Sequence, residues 1–534
     1  MRLPLHHLQR FQQPFTSLGK MTASPHLALP PFVLTDSYKL SHYALYPDAQ
    51  EMVAYAEFRA PFNKDHHDHR IVWYGMRYLV EQYLAKQWTA ADLALADQFF
   101  STHNAGFTPF PFPRDLFRKF ITENEGYFPV KVESLPEGTV VYPHVPVFQI
   151  TAKGEYARLV TYLETLLTMA WYPATVATLS RRAKHAIQAA FDKTADASAL
   201  PLDDSRLHDF GFRGARPDEH NGGVAHRVVD SGDREHSVMI SWPSERAAMA
   251  NLLDKFGEGV VACVMDSYGT VASFRTSVFL SVVRNSDLHA RYDLDYVRAL
   301  EKVLPAIKSV KLQKGGFLVL RPDSGDPVET VLQALHAAES TLGTTINSKG
   351  FKVPNGVGVI QGDGINDETL NTILAAVEHA GFSAECVAFG MGGGLLQKVH
   401  RDTMSFATKL SYVKLADGTD RDVMKVPKTD SAKTSLPGRL AVVPAHNALP
   451  VVVPHDHPDV EVRGNLMQVV FDGTDPARRH VAWDSFSDVR KRVQEQWARA
   501  PPIWDPVSVA LATKAHDLVE RLRAADMQVG EGDQ

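Results

Sequence analysis

The chain has almost no cysteine. Only Cys263 and Cys386 occur in 534 residues, each inside an apolar segment. Two thiols so far apart form neither a disulfide framework nor a metal-ligand spacing. That excludes a disulfide-stapled scaffold and fits a reducing compartment. The sequence also lacks a dominant charge. Its 56 basic residues face 62 acidic ones, a formal net charge of -6. Without a global basic field, nucleic acid is not an expected partner. No apolar run reaches the roughly 20 residues of a membrane-spanning helix, so no membrane partner is expected either. Acidic residues are missing from the first 35 positions, where Arg2, Arg10 and Lys20 are the only basic residues. An acid-poor, basic start fits either a targeting extension or a disordered tail, with Met21 as an alternative first residue. The expected location is cytoplasmic, and mitochondrial targeting by residues 1–20 is the alternative.

What is present is an ordinary globular composition, 44% hydrophobic and 22% charged, on a chain long enough for two domains. A core able to surround a buried site is expected. Folded sequence begins near Phe32. Residues 52–58 and 139–147 read as strands, with Pro136-Glu137-Gly138 as a turn. Residues 158–170 and 178–191 carry helical spacing, and Pro173 separates the two. Residues 259–265, 317–320, 358–360 and 386–389 are continuous apolar runs, and helical patterns over 328–338 and 368–380 separate the last three. This β-α-β-α-β order predicts buried parallel strands covered by helices. Short strands return from Thr408, and residues 506–525 read as an amphipathic helix.

In such folds, chemistry sits where strands end and loops begin. Here the apolar runs lead into Asp266-Ser267-Tyr268, Arg321-Pro322-Asp323-Ser324-Gly325, Gln361-Gly362-Asp363-Gly364 and Gly390-Met391-Gly392-Gly393-Gly394. Arg321 can clamp a phosphate or carboxylate with two parallel hydrogen bonds, and Asp323 can hold ribose hydroxyls. A salt-bridged turn explains the same residues equally well. Glycines around Asp363 let backbone approach a ligand, but Gly-Asp-Gly is also a common turn. The triple glycine, followed by Lys398 and Arg401, offers backbone N–H groups to a phosphate. Its place directly after a buried run favours that reading over a plain connector. Three such strand ends together point to a phosphorylated sugar. The run His208-Asp209-Phe210-Gly211-Phe212-Arg213-Gly214 adds an aromatic face for a planar heterocycle and an arginine for a diphosphate. For that run alone, core packing is the commoner explanation. Glu235-His236-Ser237 precedes an apolar stretch, 238–242, that reads as a strand. His236 is suited to nucleophilic or acid–base chemistry, although a lone histidine is more often structural.

Taken in order, these motifs resemble those of the nicotinamide phosphoribosyltransferase family. The resemblance begins at Leu34-Thr35-Asp36-Ser37-Tyr38-Lys39 with His42-Tyr43, passes through Tyr74-Gly75 and Trp171-Tyr172-Pro173, and spans most of residues 34–500. It implies an irregular, TIM-like α/β barrel over 176–404 and a second mixed α+β domain formed from both chain ends, 32–175 plus 405–530, after an extension over 1–31. It implies a homodimer with shared active sites. The implied reaction joins nicotinamide to the ribose of phosphoribosyl pyrophosphate and releases pyrophosphate, with Mg²⁺ required and ATP as a coupled co-substrate. Carried over residue by residue, Phe210 stacks on one face of the pyridine and Tyr38 from the other subunit covers the opposite face. Arg213 and Arg321 bind substrate phosphates, and Arg59 joins them at the pyrophosphate. Asp323 and Asp363 line the ribose and base pocket, with Pro322 and Gly362 in the same substrate-binding set. Gly393 and Arg401 hold the nucleotide phosphate. His236 matches the histidine that ATP phosphorylates.

Two stretches depart from the family pattern. Between Ala225-His226 and Glu235-His236 the family has a longer segment with a Gly-Thr/Ser-Asp motif, whereas here only 227–234 remain and Asp233 stands in for that aspartate. After Asp266-Ser267-Tyr268 the family continues directly with an aspartate and a helix. Here 269–294 intervene before Asp295-Tyr296-Val297-Arg298, making Asp295 the displaced acid that partners His236. A nicotinate phosphoribosyltransferase is the rival within this chemistry, because an acid facing the amide would repel a carboxylate. A catalytically impaired, non-enzymatic relative is the rival outside it. The anomalies are expected to be gene-model errors, with coding sequence skipped in the first stretch and intron translated in the second. Sequencing the mature transcript should reveal a longer first stretch and no second one; a transcript that encodes both as written overturns this expectation.

Overall fold

The computed structural model describes residues 30–214, 236–239, 241–265, 296–427, 433–445 and 447–531. Asp233, Asp295, the Asp266-Ser267-Tyr268 motif and the segments 215–234 and 269–294 lie outside the described residues, as do residues 1–29. In chain order the main strands are β1 (Ala49–Phe58), β2 (Val130–Ser134), β3 (Pro146–Lys153), β4 (Leu207–Asp209), β5 (Val260–Val264), β6 (Phe317–Arg321), β7 (Val357–Gln361), β8 (Val387–Met391), β9 (Phe406–Leu415), β10 (Asp420–Asp422) and β11 (Gln468–Asp472). The helices that matter below are α1 (Ser37–Leu45), α2 (Trp171–Thr194), α3 (Glu245–Phe256), α4 (Leu304–Lys314), α5 (Pro327–Leu342), α6 (Asp367–His379) and α7 (Phe486–Arg499).

Both chain ends build one six-stranded sheet in the order β10-β9-β1-β3-β2-β11. Every neighbouring pair in it is antiparallel. From Met52 to Phe58, β1 is buried on both faces. Burial on both faces explains why apolar residues occupy both sides of this stretch, with Glu57 the exception. Aromatic side chains fill the space against the sheet. Phe58 and Phe406 meet with ring centroids 4.6 Å apart, and Trp88, Phe32 and Phe128 form a second group at 4.8–4.9 Å. Such contacts add to area burial because edge and face of neighbouring rings carry opposite partial charge.

The middle of the chain builds a five-stranded sheet in the order β4-β8-β7-β6-β5, parallel throughout. Strands β7 and β8 are buried along their whole length. The following helices start at once because their first turns are capped. Asp326 accepts hydrogen bonds from the backbone of Val328 and Glu329 ahead of α5, with Pro327 in the first turn. Asn366 and Thr369 form a reciprocal cap on α6. Short, capped connections keep the strand-end loops in fixed positions. Cys263 and Cys386 are both buried in this half, and burial pushes the Cys386 thiol up to about 12.

Several local expectations change. Among the described residues the parallel sheet has β4 and β5 at its two edges and forms half of the expected barrel. Those edges are consecutive in the chain, and the departing segment 215–234 falls between them. Pro173 does not separate two helices. It lies in the first turn of α2, where its missing N–H would have had no helical partner. The helical stretch expected over 158–170 is broken into a 3₁₀ segment, Gly154–Leu159, and one helical turn, Glu164–Thr168. The strand expected over 139–147 splits at His144, whose φ of 69° turns the chain before β3. The described residues of the stretch after His236 do not form a strand. His236–Met239 is a helical turn, and both the backbone N–H and the hydroxyl of Ser241 close onto the Val238 carbonyl. A stretch of five residues is too short to separate the two states by periodicity.

Arg182 on α2 rivets the two halves together. Its Nη2 reaches Asp65 at 2.6 Å, on the antiparallel side, and Asp367 at 3.1 Å, at the start of α6. Burial alone would raise the Asp65 carboxyl, but the His67 N–H and the Arg182 guanidinium hold it below the usual aspartate value. We expect Arg182→Ala to cost roughly 2–3 kcal/mol, somewhat less than for a fully buried pair. The discount follows from the 23% and 26% side-chain exposure of Asp65 and Asp367. A depressed carboxylate stabilises above its unfolded pKa and loses that contribution as pH falls through the folded value. Denaturant titrations should therefore show the gap between wild type and variant shrinking below about pH 4. A gap independent of pH would contradict the role given to Asp65.

Candidate active site

The C-terminal ends of β4, β8, β7 and β6 lie side by side, because Met391 pairs with Asp209, Gln361 with Phe389, and Val359 with Leu320. Phe210 leaves β4 with its N–H bonded to the Met391 carbonyl at 3.1 Å. Its ring then folds across the ends of the neighbouring strands. A Cβ at Gly390 would stand 2.1 Å from Phe210 Cε2, and one at Gly362 would stand 2.9 Å away. Both glycines are therefore the floor of a ring seat. The Arg321 guanidinium stands 4.8 Å from the ring centroid, within cation–π range. Arg321 is 8% exposed and pairs with Asp323 at 3.1 Å. Pro322 between them is buried. The salt-bridged turn and the anion clamp are thus one arrangement: Asp323 aims a guanidinium that is already largely out of water.

Other predicted residues gather around this cluster. Gln361 is fully buried, and its amide donates to the Asp363 carbonyl at 3.0 Å. That bond shapes the turn that leaves Asp363 exposed at the rim. The triple glycine follows β8 and begins the single helical turn Gly393–Leu396. A Cβ at Gly211 would meet the Gly392 carbonyl at 2.6 Å, and one at Gly394 would meet the Ile365 carbonyl at 2.4 Å. The glycines thus serve close backbone approach between β4, β7 and β8 loops. Gln397 donates to the Gly211 carbonyl at 3.0 Å, and Tyr172 on α2 donates to the Leu396 carbonyl at 3.0 Å. Arg213 is exposed on a 3₁₀ turn, Phe212–Gly214, that packs against the glycine turn.

Two arginines from distant parts of the chain meet at the loop entering β9. Arg59 donates to the Ser405 carbonyl at 3.1 Å, and Arg401 donates to the Phe406 carbonyl at 3.1 Å while pairing with Asp402 at 2.7 Å. Tyr38 is apart from these groups. It is 56% exposed on α1, with the His42 ring 5.3 Å and the Lys39 ammonium 5.1 Å from its own ring. The backbone of His236 begins a helical turn that packs against α3 and β5.

Two further residues stand in the site that sequence reasoning did not single out. Asp209 ends β4 and accepts the Gly211 N–H at 2.7 Å. Burial raises its carboxyl above the usual value, against the pull of the Gly211 and Phe212 N–H groups. Lys409 on β9 has its ammonium lowered by burial, an effect that Glu164 opposes and Arg59 reinforces. The strand also carries Thr408, Ser411 and Lys414, so the sequence alone does not single Lys409 out. Among the described residues, no three His, Cys, Asp or Glu side chains form a metal cage.

A ring seat, a buried arginine–aspartate pair and a glycine turn on adjoining parallel strand ends define an α/β enzyme that handles a flat ring and a phosphorylated sugar. Residues 205–472 match the model of the nicotinate phosphoribosyltransferase (NAPRTase) family, and residues 32–132 match the nicotinamide phosphoribosyltransferase N-terminal domain. A nicotinamide phosphoribosyltransferase of Xanthomonas campestris pv. campestris is 34% identical over 443 residues, covering 77% of this chain and 86% of the relative. The fold resembles human nicotinic acid phosphoribosyltransferase, with a TM-score of 0.54, 17% identity, and 91% of this chain and 100% of that one covered. It also resembles nicotinate-nucleotide pyrophosphorylase from Pyrococcus furiosus, with a TM-score of 0.52, 15% identity, and 90% and 99% covered. The chain belongs to the nicotinamide phosphoribosyltransferase family, within the wider NAPRTase family.

The ring seat makes a sharp prediction. Gly390→Ala should displace the Phe210 ring and cost about 1–3 kcal/mol, the usual scale of overpacking. The double variant Gly390→Ala with Phe210→Ala should recover part of that loss, because the clash partner is gone. Thermal denaturation of the set decides it: additive losses would show that the ring does not rest on Gly390.

Proposed function

We propose that the protein transfers the phosphoribosyl group of phosphoribosyl pyrophosphate to nicotinamide, forming nicotinamide mononucleotide in NAD salvage. The observation that carries this reading is the Phe210 ring seated on Gly390 and Gly362 beside the buried Arg321–Asp323 pair. Phe210 would stack on one face of the pyridine. Tyr38, exposed on α1, would close the opposite face from the other subunit of a homodimer. Arg213 and Arg321 bind substrate phosphates, Arg59 takes the pyrophosphate, and Gly393 with Arg401 holds the nucleotide phosphate. Lys409 beside Arg59 adds a cation on the same side.

Ribosyl transfer develops positive charge on the sugar and negative charge on the departing pyrophosphate. Asp323 and Asp363 stand at neighbouring strand ends, where carboxylates stabilise a cation-like ribose. Fixed arginines around the leaving group supply the complementary charge without reorganising. Mg²⁺ fits this donor set, since it binds by one or two carboxylates plus substrate phosphates rather than by a protein cage. Asp323 and Asp363 are its candidate protein ligands, and the ion would supply leaving-group neutralisation.

ATP coupling would run through His236, with Asp295 as its acid partner, and Asp233 would meet the nicotinamide amide. The barrel would span 176–404 and the second domain 32–175 plus 405–530. A cytoplasmic enzyme fits the two buried thiols, and residues 1–20 are the candidate targeting segment.

Incubating the purified protein with phosphoribosyl pyrophosphate, Mg²⁺ and ATP, and with nicotinamide or nicotinate in parallel, tests the assignment. Product should form from nicotinamide and not from nicotinate. Phe210→Ala should lower kcat/KM for nicotinamide by about 10²-fold or more, as expected when ring positioning is lost. Product mainly from nicotinate would move the protein to the sister activity. No product from either base would favour the impaired relative.

A further inference from the structure

Glu57, one residue from the end of β1, is 0% exposed. Neither of its carboxylate oxygens meets the geometry of a hydrogen bond among the described residues. A carboxylate so placed is costly unless cations answer it. The transfer chemistry has so far made no use of it.

Three basic residues stand near this carboxylate. His144 places its Nδ1 3.4 Å from Glu57 Oε2. The same residue donates its backbone N–H to the Phe58 carbonyl at 2.8 Å, from a left-handed backbone with a φ of 69°. Such a backbone persists in a non-glycine residue only where its surroundings over-determine it. Ring and backbone of His144 thus grip the two residues that precede Arg59. Lys409 stands opposite Tyr55 in the antiparallel register, and Ala407 stands opposite Glu57. Glu57 and Lys409 are therefore diagonal neighbours on one face, a spacing that long side chains span. Arg59 follows Glu57 by two residues, with its Nε fixed on the Ser405 carbonyl at 3.1 Å.

The charges are interdependent. Burial lowers the Lys409 ammonium; Glu164 and Glu57 oppose that fall, while Arg59 and Lys425 deepen it. Burial also lowers the His144 imidazole, but Glu57 more than offsets it, helped by Asp505 and opposed by Arg59. The Tyr55 phenol is pushed well up, by burial and then by Glu57, with the Leu436 N–H and Arg59 pulling the other way. Two neighbouring cations disfavour each other, and a buried acid beside them restores both.

We propose that Glu57 is a positioning residue for phosphoribosyl transfer: a buried counter-charge, clamped by His144, that keeps Arg59 and Lys409 together as a cation pair for the pyrophosphate. This rests on the catalytic reading, in which Arg59 takes the pyrophosphate. Glu57 is sealed from solvent and acts through the two cations, touching no substrate itself.

The test is steady-state kinetics of the full chain from neutral to alkaline pH, with Mg²⁺ and ATP present and each substrate varied in turn. Circular dichroism verifies the fold of every variant. Glu57→Gln should raise KM for phosphoribosyl pyrophosphate about tenfold and leave KM for nicotinamide unchanged. It should also move the alkaline limb of kcat/KM for phosphoribosyl pyrophosphate to lower pH, because Lys409 without Glu57 gives up its proton sooner. Glu57→Asp should bring the limb back. In a Lys409→Met background, Glu57→Gln should add little, as expected for residues that act as a unit. His144→Asn, which tolerates a left-handed backbone, should raise the same KM by a smaller factor; if Glu57→Gln does not fold, this variant decides, and an unchanged KM overturns the proposal.

Glu57→Gln that raises both KM values alike, leaves the alkaline limb in place or adds fully to Lys409→Met would show a merely structural role. Calorimetry with magnesium pyrophosphate repeats the comparison without turnover, and Glu57→Gln should again bind about tenfold more weakly. A wild type that forms product or binds pyrophosphate, matched by Glu57→Gln, overturns this proposal alone. A wild type that does neither overturns the catalytic reading and this proposal with it.

Discussion

A phenyl ring can lie across the ends of parallel strands only where those strands carry no side chain. That steric condition governs the centre of this molecule. Phe210 comes from the edge strand β4, and its ring needs the space above Gly390 on β8 and Gly362 after β7. Satisfying it fixes the order of the strands, since β8 must lie beside β4 and β7 beside β8. It also brings Arg321 from β6 onto the ring. The aromatic face and the phosphate-type cation are thus set by one packing decision. A site built this way is preorganised, because moving any of the three strands would unseat the ring.

The second constraint is mechanical. The parallel sheet and the antiparallel sheet come from different parts of the chain, and α2 joins them. Tyr172 and Arg182 project from this helix to a loop of each kind: the glycine turn, and the start of α6 together with Asp65. Arg59 and Arg401 then meet at one loop from opposite ends of the sequence. Two cations are thus placed at one loop by segments that share no local sequence signal.

Legibility in the sequence followed the range of the interaction. The four buried strands and their covering helices were readable because each is a local pattern: an apolar run, then a capped helical period. Arg321 and Asp323 were readable as a pair because they are two residues apart on one loop. The role of Gly390 was not, since the atom that forbids a side chain there belongs to Phe210, far earlier in the chain. Lys409 was hidden for the same reason; nothing beside it in sequence announces Arg59. Pro173 misled because proline marks a boundary in a helix interior yet is tolerated in a first turn. The stretch after His236 misled because five residues are too few to show a period. Of the irregular, TIM-like barrel expected from family resemblance, the described residues form a parallel half whose two edges flank the segment 215–234.

The two cysteines carry a consequence of their own. A thiol reacts as its thiolate, and burial pushes the Cys386 thiol up to about 12, which disfavours the thiolate at neutral pH. Cys263 is likewise sealed inside β5. Neither thiol offers peroxide or an alkylating reagent a ready target while the fold is intact. Redox control through these two thiols would require the fold to open first.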